Sequence, residues 1–147
     1  MPGSPTPVVC VDASLIVRLV TDAENRQLRS LWHQWQDEGR EAAAPALVFF
    51  EVANALYRLA RHRFVSLAAA STALQAALAL PMKLYADPTL HHQAMRLAEQ
   101  FDLPACYDAH YLALAERLGV ELWTCDDKLA RAVAPQAPWV HVAGGSQ

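Results

Sequence analysis

Along this chain the spacing of apolar residues switches repeatedly between the period of a strand and that of a helix. Val8-Val9-Cys10-Val11 is an unbroken, largely β-branched run, the pattern of a strand buried on both faces. It ends at Asp12-Ala13-Ser14, and Leu15 to Val20 begins a short helix for which Ser14 is the expected N-cap. Leu28, Leu31, Trp32 and Trp35 stripe a second helix from Glu24 to Glu38, with Gly39 as its stop. Ala42-Ala43-Ala44 before Pro45 predicts a strand built from residues with little strand preference of their own. Val48, Val52, Leu56 and Leu59 line one side of a helix from Leu47 to Arg63. A partner helix from Leu67 to Leu80 ends at Pro81.

The second half repeats the alternation. Met82 to Tyr85 reads as a strand, and Asp87-Pro88-Thr89 opens a helix that runs to Phe101, with Asp87 as cap and Pro88 in its first position. From Pro104 another helix follows, carrying Tyr111, Leu114, Ala115 and Leu118 on one face and Gly119 as terminator. Glu121-Leu122-Trp123 is a brief strand, Asp126 or Asp127 leads into a helix over Lys128 to Val133, and Trp139 to Val142 is a final edge strand. Strands alternating with helices imply an α/β fold whose parallel sheet is covered on both sides. The expected organisation is a single domain over 8–143 between flexible segments 1–7 and 144–147. Ligands in such sheets collect at the carboxyl ends of the strands, which is where Asp12 and Asp126 fall.

Composition narrows the function classes. At 147 residues with 18% charged and 54% apolar side chains, the chain can bury a core and is not a disordered polymer. The net charge of −3 argues only mildly against a nucleic-acid partner, since a cation-binding acid cluster lowers the total without making the whole surface repulsive. Three cysteines, Cys10, Cys106 and Cys125, with no Cys-x-x-Cys pair, fit a reducing cytoplasm. Met1 to Pro7 lacks the basic and apolar regions of a secretory signal, and Val65 to Leu80 is too short and too polar to span a bilayer. No association with a membrane is expected.

Four acids hold the candidate chemistry. Asp108 lies in the first turn of its helix, where the macrodipole alone favours negative charge. Glu51 is off the apolar stripe of its helix, on a polar stripe with Asn54, Arg58 and His62. Each has an ordinary reading by itself. Together with Asp12 and Asp126 they form a set of hard oxygen donors from four separate elements, and such a set stays ionised only around a cation. Mg²⁺ suits these ligands, with Mn²⁺ as a substitute, and the corresponding reaction is hydrolysis of a phosphodiester.

Four segments carry a family resemblance, in order and over nearly the whole chain. They are Val-Val-Cys-Val-Asp12-Ala-Ser14, Pro-Ala-Leu-Val-Phe-Phe-Glu51-Val-Ala-Asn54-Ala-Leu, Tyr107-Asp108-Ala-His-Tyr-Leu-Ala-Leu-Ala and Thr124-Cys-Asp126-Asp-Lys-Leu129. By these the chain resembles the PIN-domain ribonucleases, and most of all the VapC toxins of bacterial toxin–antitoxin pairs. The resemblance implies a three-layer α/β/α sandwich around a parallel sheet of about five strands and an acidic Mg²⁺ site. It also implies cleavage of single-stranded RNA, a homodimer, and inhibition by a small VapB-like antitoxin. It places Asp12, Glu51, Asp108 and Asp126 on the family's acidic positions, Ser14 and Thr124 on supporting hydroxyl positions, and Asn54 on a frequent polar neighbour of the Glu. Cysteine at 106 and 125 departs from the usual small residues, and Asp127 competes with Asp126, although the Thr-x-Asp-x-x-Leu spacing favours Asp126.

Other chemistries are poorly served. The cysteines have no zinc-ligand spacing and read better as small buried apolar groups. His91 and His92 diverge by about 100° on a helix. No His-Glu-x-x-His, Gly-x-Ser-x-Gly or phosphate-binding glycine loop is present. The basic run Arg58, Arg61, His62, Arg63 either stabilises a helix end or guides an RNA backbone, with Arg58 first, and Arg18, Lys128 and Arg131 after it, as phosphate contacts. Trp32 and Trp35 read as core, or, if partly exposed, as a groove for an antitoxin helix. The rival to a nuclease is a catalytically inactive module of the same fold that binds RNA or protein without cutting.

Overall fold

Val9, Cys10 and Val11 are buried on both sides, and the strand they form, β1 (Val8–Val11), is the middle of the sheet. The computed structural model describes residues 7–143. The segments 1–6 and 144–147, expected to be flexible, lie outside the described residues. Pro7, also counted with the flexible start, offers its carbonyl to the Glu41 N–H at 2.8 Å.

Five strands run parallel in the order β3-β2-β1-β4-β5. The others are β2 (Glu41–Pro45), β3 (Met82–Tyr85), β4 (Leu122–Thr124) and β5 (Val140–Val142). In chain order, helices α1 (Ala13–Thr21) and α2 (Arg26–Asp37) join β1 to β2, and α3 (Leu47–Arg61) and α4 (Leu67–Leu78) join β2 to β3. Helices α5 (Pro88–Gln100) and α6 (Tyr107–Leu118) cross from β3 to β4, and α7 (Asp127–Val133) leads to β5. Right-handed crossovers set the layers: the run from β1 out to β3 lays its helices on one face, and the reversal to β4 and β5 lays the rest on the other. This is the expected three-layer α/β fold. The reversal makes the carboxyl ends of β1 and β4 neighbours, the place where such sheets bind ligands.

Burial overrides propensity in β2. Ala42, Ala43 and Ala44 are weak strand formers, yet all are buried between β1 and β3. Pro45 belongs to β2 rather than ending it. It pairs with Tyr85 on one side, while the ladder with β1 stops at Ala43, so its missing N–H leaves no gap there. Helix α6 is buried on more than the one face expected: Ala109 and Tyr111 through Ala115 are all enclosed, because α5 covers the side that faces away from the sheet. Trp32 and Trp35 are core residues, with Trp35 meeting Trp123 edge-on at 5.8 Å, and both border a cavity of about 300 Å³ with Pro81 and Met82.

Several boundaries shift for local reasons. Asp12, not Ser14, caps α1, accepting from the Leu15 N–H, and Ser14 sits inside the first turn. Asn25 caps α2 in the same manner and so starts it later than Glu24. Arg63 takes a left-handed φ of +64° after α3, and Ser66 then caps α4. Asp87 makes no capping bond. Its carboxylate instead accepts both arms of Arg117 at 2.7 and 2.9 Å, and this pairing holds its pKa below the ordinary carboxylate value. Among the described residues no helix is long and apolar enough to cross a membrane.

Candidate active site

Four elements deliver four carboxylates into one cleft of about 490 Å³ at the carboxyl ends of β1 and β4. Asp12 arrives because β1 ends there and α1 begins. Asp126 arrives because β4 ends at Thr124 and α7 starts one residue after it. Asp108 opens α6, and Glu51 lies in the second turn of α3. Ser14, Arg18, Tyr111 and Cys125 share the walls.

Asp12 is the most deeply set acid, 4% exposed. Its Oδ1 accepts from the Ser14 hydroxyl at 2.7 Å and the Leu15 N–H at 3.1 Å, and its Oδ2 accepts from the Thr124 hydroxyl at 2.5 Å. Both hydroxyls thus spend their single proton on Asp12, and each takes a backbone N–H in return, Cys125 onto Ser14 and Asp126 onto Thr124. One lone pair of Oδ2 is left over. Burial raises the Asp12 pKa from 3.8 to about 6; the three donors pull it down and the charge of Asp108 adds to the rise.

The remaining acids differ in how they are held. Asp126 Oδ1 accepts from the N–H groups of Lys128 and Leu129, the start of α7. Glu51 Oε1 accepts from the Tyr111 hydroxyl at 2.5 Å. Burial first, and then Glu51 itself, push the Tyr111 pKa far up, so the phenol stays protonated and remains a donor. Asp108 has no hydrogen-bond partner among the described residues. Its pKa is raised, by desolvation first and then by the charges of Glu51 and Asp126.

The sequence profile of the PIN domain matches residues 9–134. The chain belongs to the PIN-domain family. This PIN domain is 31% identical to PAE2754 of Pyrobaculum aerophilum over 86% of each chain, with a TM-score of 0.65. It also superposes on VapC20 of Mycobacterium tuberculosis, a sarcin–ricin loop cleaving toxin, at 21% identity over 84% of this chain and 94% of that one, with a TM-score of 0.61. VapBC2 of Rickettsia felis, bound to a DNA fragment from its promoter, matches at 11% identity over 92% and 96% of the two chains, with a TM-score of 0.64. At those two identities the likeness concerns the fold. No curated protein matches the sequence.

Within this PIN domain the expected residues divide. Asp12, Ser14, Glu51, Asp108 and Asp126 line the cleft, and Thr124 sits directly behind Asp12. Asp127 is outside the lining, so Asp126 is the acid that turns inward. Asn54 and Arg58 are exposed and outside it as well: the face of α3 that looks into the cleft is Glu51-Ala55-Leu59, while Asn54 and Arg58 stand a step of about 100° away. The cation in the cleft wall is Arg18 of α1. Tyr111, read from sequence only as a core position, is the unforeseen member, and its one signal was its place three residues after Asp108.

Cys125 also lines the cleft; burial raises its thiol pKa to about 11, so it is a poor soft ligand at neutral pH. Among the described residues no three His, Cys, Asp or Glu side chains close on one point as a finished cage. The acids share a cleft without closing on one point, and the repulsion between carboxylates so placed favours a cation among them. The donor set is hard oxygen with a lone pair left on Asp12 and an unpartnered Asp108, which fits Mg²⁺ or Mn²⁺ with water completing the shell and does not fit a soft metal.

Proposed function

We propose that this chain is a divalent-metal-dependent endoribonuclease, the toxin of a type II toxin–antitoxin pair, carried by one domain over 8–143. The observation that supports it most directly is the cleft itself, where Asp12, Glu51, Asp108 and Asp126 from four elements share its walls and the charges of Glu51 and Asp126 act on Asp108. Crowding like charges into one partly desolvated cleft is unfavourable, and a cation between them relieves the repulsion. Asp12, Glu51, Asp108 and Asp126 would hold the ion. When bound, Mg²⁺ or Mn²⁺ lowers the pKa of water and neutralises charge that builds on a phosphodiester.

The chain's own groups do the rest. Ser14 and Thr124 fix Asp12 so that its charge faces the cleft rather than rotating away. The start of α7 fixes Asp126. Arg18 is placed to pair with a substrate phosphate, which would otherwise meet only acids. A VapB-like antitoxin belongs to the same reading, supported by the fold shared with VapC20 and with the VapBC2 complex, and a homodimer and a cytoplasmic setting are proposed with it. Sedimentation with and without a coexpressed antitoxin distinguishes these assemblies.

The deciding experiment incubates labelled RNA, including a sarcin–ricin loop hairpin, with the protein in Mg²⁺, Mn²⁺ or EDTA. Cleavage in either metal and none in EDTA is expected, with loss of at least about 100-fold in Asp108→Asn while circular dichroism is unchanged. Cleavage that persists in EDTA or in the variant refutes the assignment. Metal-dependent RNA retention with no product identifies the non-cleaving module instead.

A further inference from the structure

We infer that Tyr111 is a positioning residue of the acidic site: its hydroxyl, donated to Glu51 Oε1, holds the α3 carboxylate in place as a ligand for the cation. The inference deepens the metal-site reading above and rests on it.

Among the four acids Glu51 has the longest side chain and so the most conformations to lose. Its side chain has three rotatable bonds where aspartate has two, and it lies past the first turn of α3, away from the free N–H groups that pin Asp126. Asp12 is gripped by two hydroxyls and one backbone N–H. Among the described residues Glu51 has one grip, Tyr111, 60 residues away in sequence.

That grip is a stiff one. Tyr111 is 1% exposed, so its ring is held by the core, and its hydroxyl meets Glu51 at the cleft wall. An aromatic ring with two torsions and no room to move places its oxygen far more sharply than a flexible chain does. Because Tyr111 is three residues after Asp108, one helix supplies one acid itself and steadies a second from another element. Core packing gives no reason for the phenol, since the neighbouring buried positions Leu112 and Leu114 are filled by leucine. The bond occupies Oε1, and among the described residues Oε2 of Glu51 has no donor, so the carboxylate is anchored by one oxygen and open at the other.

The test measures Mn²⁺ affinity by calorimetry in the full-length protein without RNA, for wild type, Tyr111→Phe, Glu51→Gln and the double variant. Melting in EDTA checks that each is folded. Tyr111→Phe is expected to weaken Mn²⁺ binding about 10-fold, as loss of an outer-shell partner does. Combined with Glu51→Gln it should add nothing further, because a residue that acts through Glu51 has no role once that carboxylate is gone. Glu51→Asp approaches the same bond from the other side: shortening the acid by one methylene withdraws it from the phenol, and with Tyr111 intact it should weaken Mn²⁺ to a similar degree. This variant keeps the inference testable if Tyr111→Phe does not fold. Wild-type affinity in Tyr111→Phe or in Glu51→Asp, or losses that add in the double variant, overturns it. If Glu51→Gln weakens Mn²⁺ and Tyr111→Phe does not, this inference alone fails. If wild type binds no Mn²⁺, the metal-site reading fails first and takes this one with it.

Discussion

Replacing Asp12 with asparagine should stabilise the metal-free protein, and the size of the effect follows from its surroundings. Burial raises the Asp12 pKa from 3.8 to about 6. An acid whose folded pKa lies above its unfolded one gives its full stabilisation below the unfolded value, near pH 4. That contribution is lost as pH rises through the folded value, and above pH 6 the ionised group is a constant cost. At 1.36 kcal/mol per pKa unit, the rise of about two units amounts to about 3 kcal/mol. Asparagine fits the same pocket. Its carbonyl accepts from Ser14 and Leu15 as Oδ1 does, its amide donates to the Thr124 oxygen, and the freed Thr124 proton turns to the Ser14 oxygen 3.1 Å away. The assay is thermal and urea melting of wild type and Asp12→Asn from pH 4 to pH 8 in EDTA. At pH 8 the variant should melt higher by roughly 6–12 °C, at the 2–4 °C per kcal/mol typical of this chain length. The gap should close towards pH 4. Saturating Mg²⁺ should narrow it at pH 8, since an ion at 100 times its dissociation constant stabilises wild type by about 2.7 kcal/mol. A variant that is less stable than wild type at pH 8 in EDTA, or a gap independent of pH, refutes the reasoning.

Two further outcomes are accessible. Arg18→Ala should raise KM for RNA about 3- to 10-fold with little change in kcat, and should flatten the plot of log affinity against log salt by about 0.7, the loss of one phosphate contact to a single strand; an unchanged salt slope removes Arg18 from the substrate path. Gly119→Ala should lower stability by about 1–2 kcal/mol in urea melts, the penalty of a left-handed residue with a side chain. Gly119 ends α6 at φ +66° and an added methyl group would meet nothing within 4 Å, so a variant as stable as wild type would show that the turn relaxes at no cost.

Much of this protein was legible without coordinates, and the reason is periodicity. A β-branched run buried on both faces, helical stripes such as Val48-Val52-Leu56, and stops at Gly39 and Gly119 are local properties, written in consecutive residues. The four acids were legible too, since each stands where an element starts or ends, or off the apolar stripe of its helix. Tertiary structure decided the partners. That Asp12 meets Thr124 across 112 residues follows from the reversal that sets β4 beside β1, and that Glu51 meets Tyr111 across 60 follows from α3 and α6 both packing on β2. Strand order is a non-local outcome, and no window of sequence contains it. The rotation of α3 was decided in the same way. Stripe counting could not tell Arg58 from Leu59 as the neighbour of the cleft, because one residue is about 100° of helix and the packing of α3 against α1 and α4 sets which side turns inward.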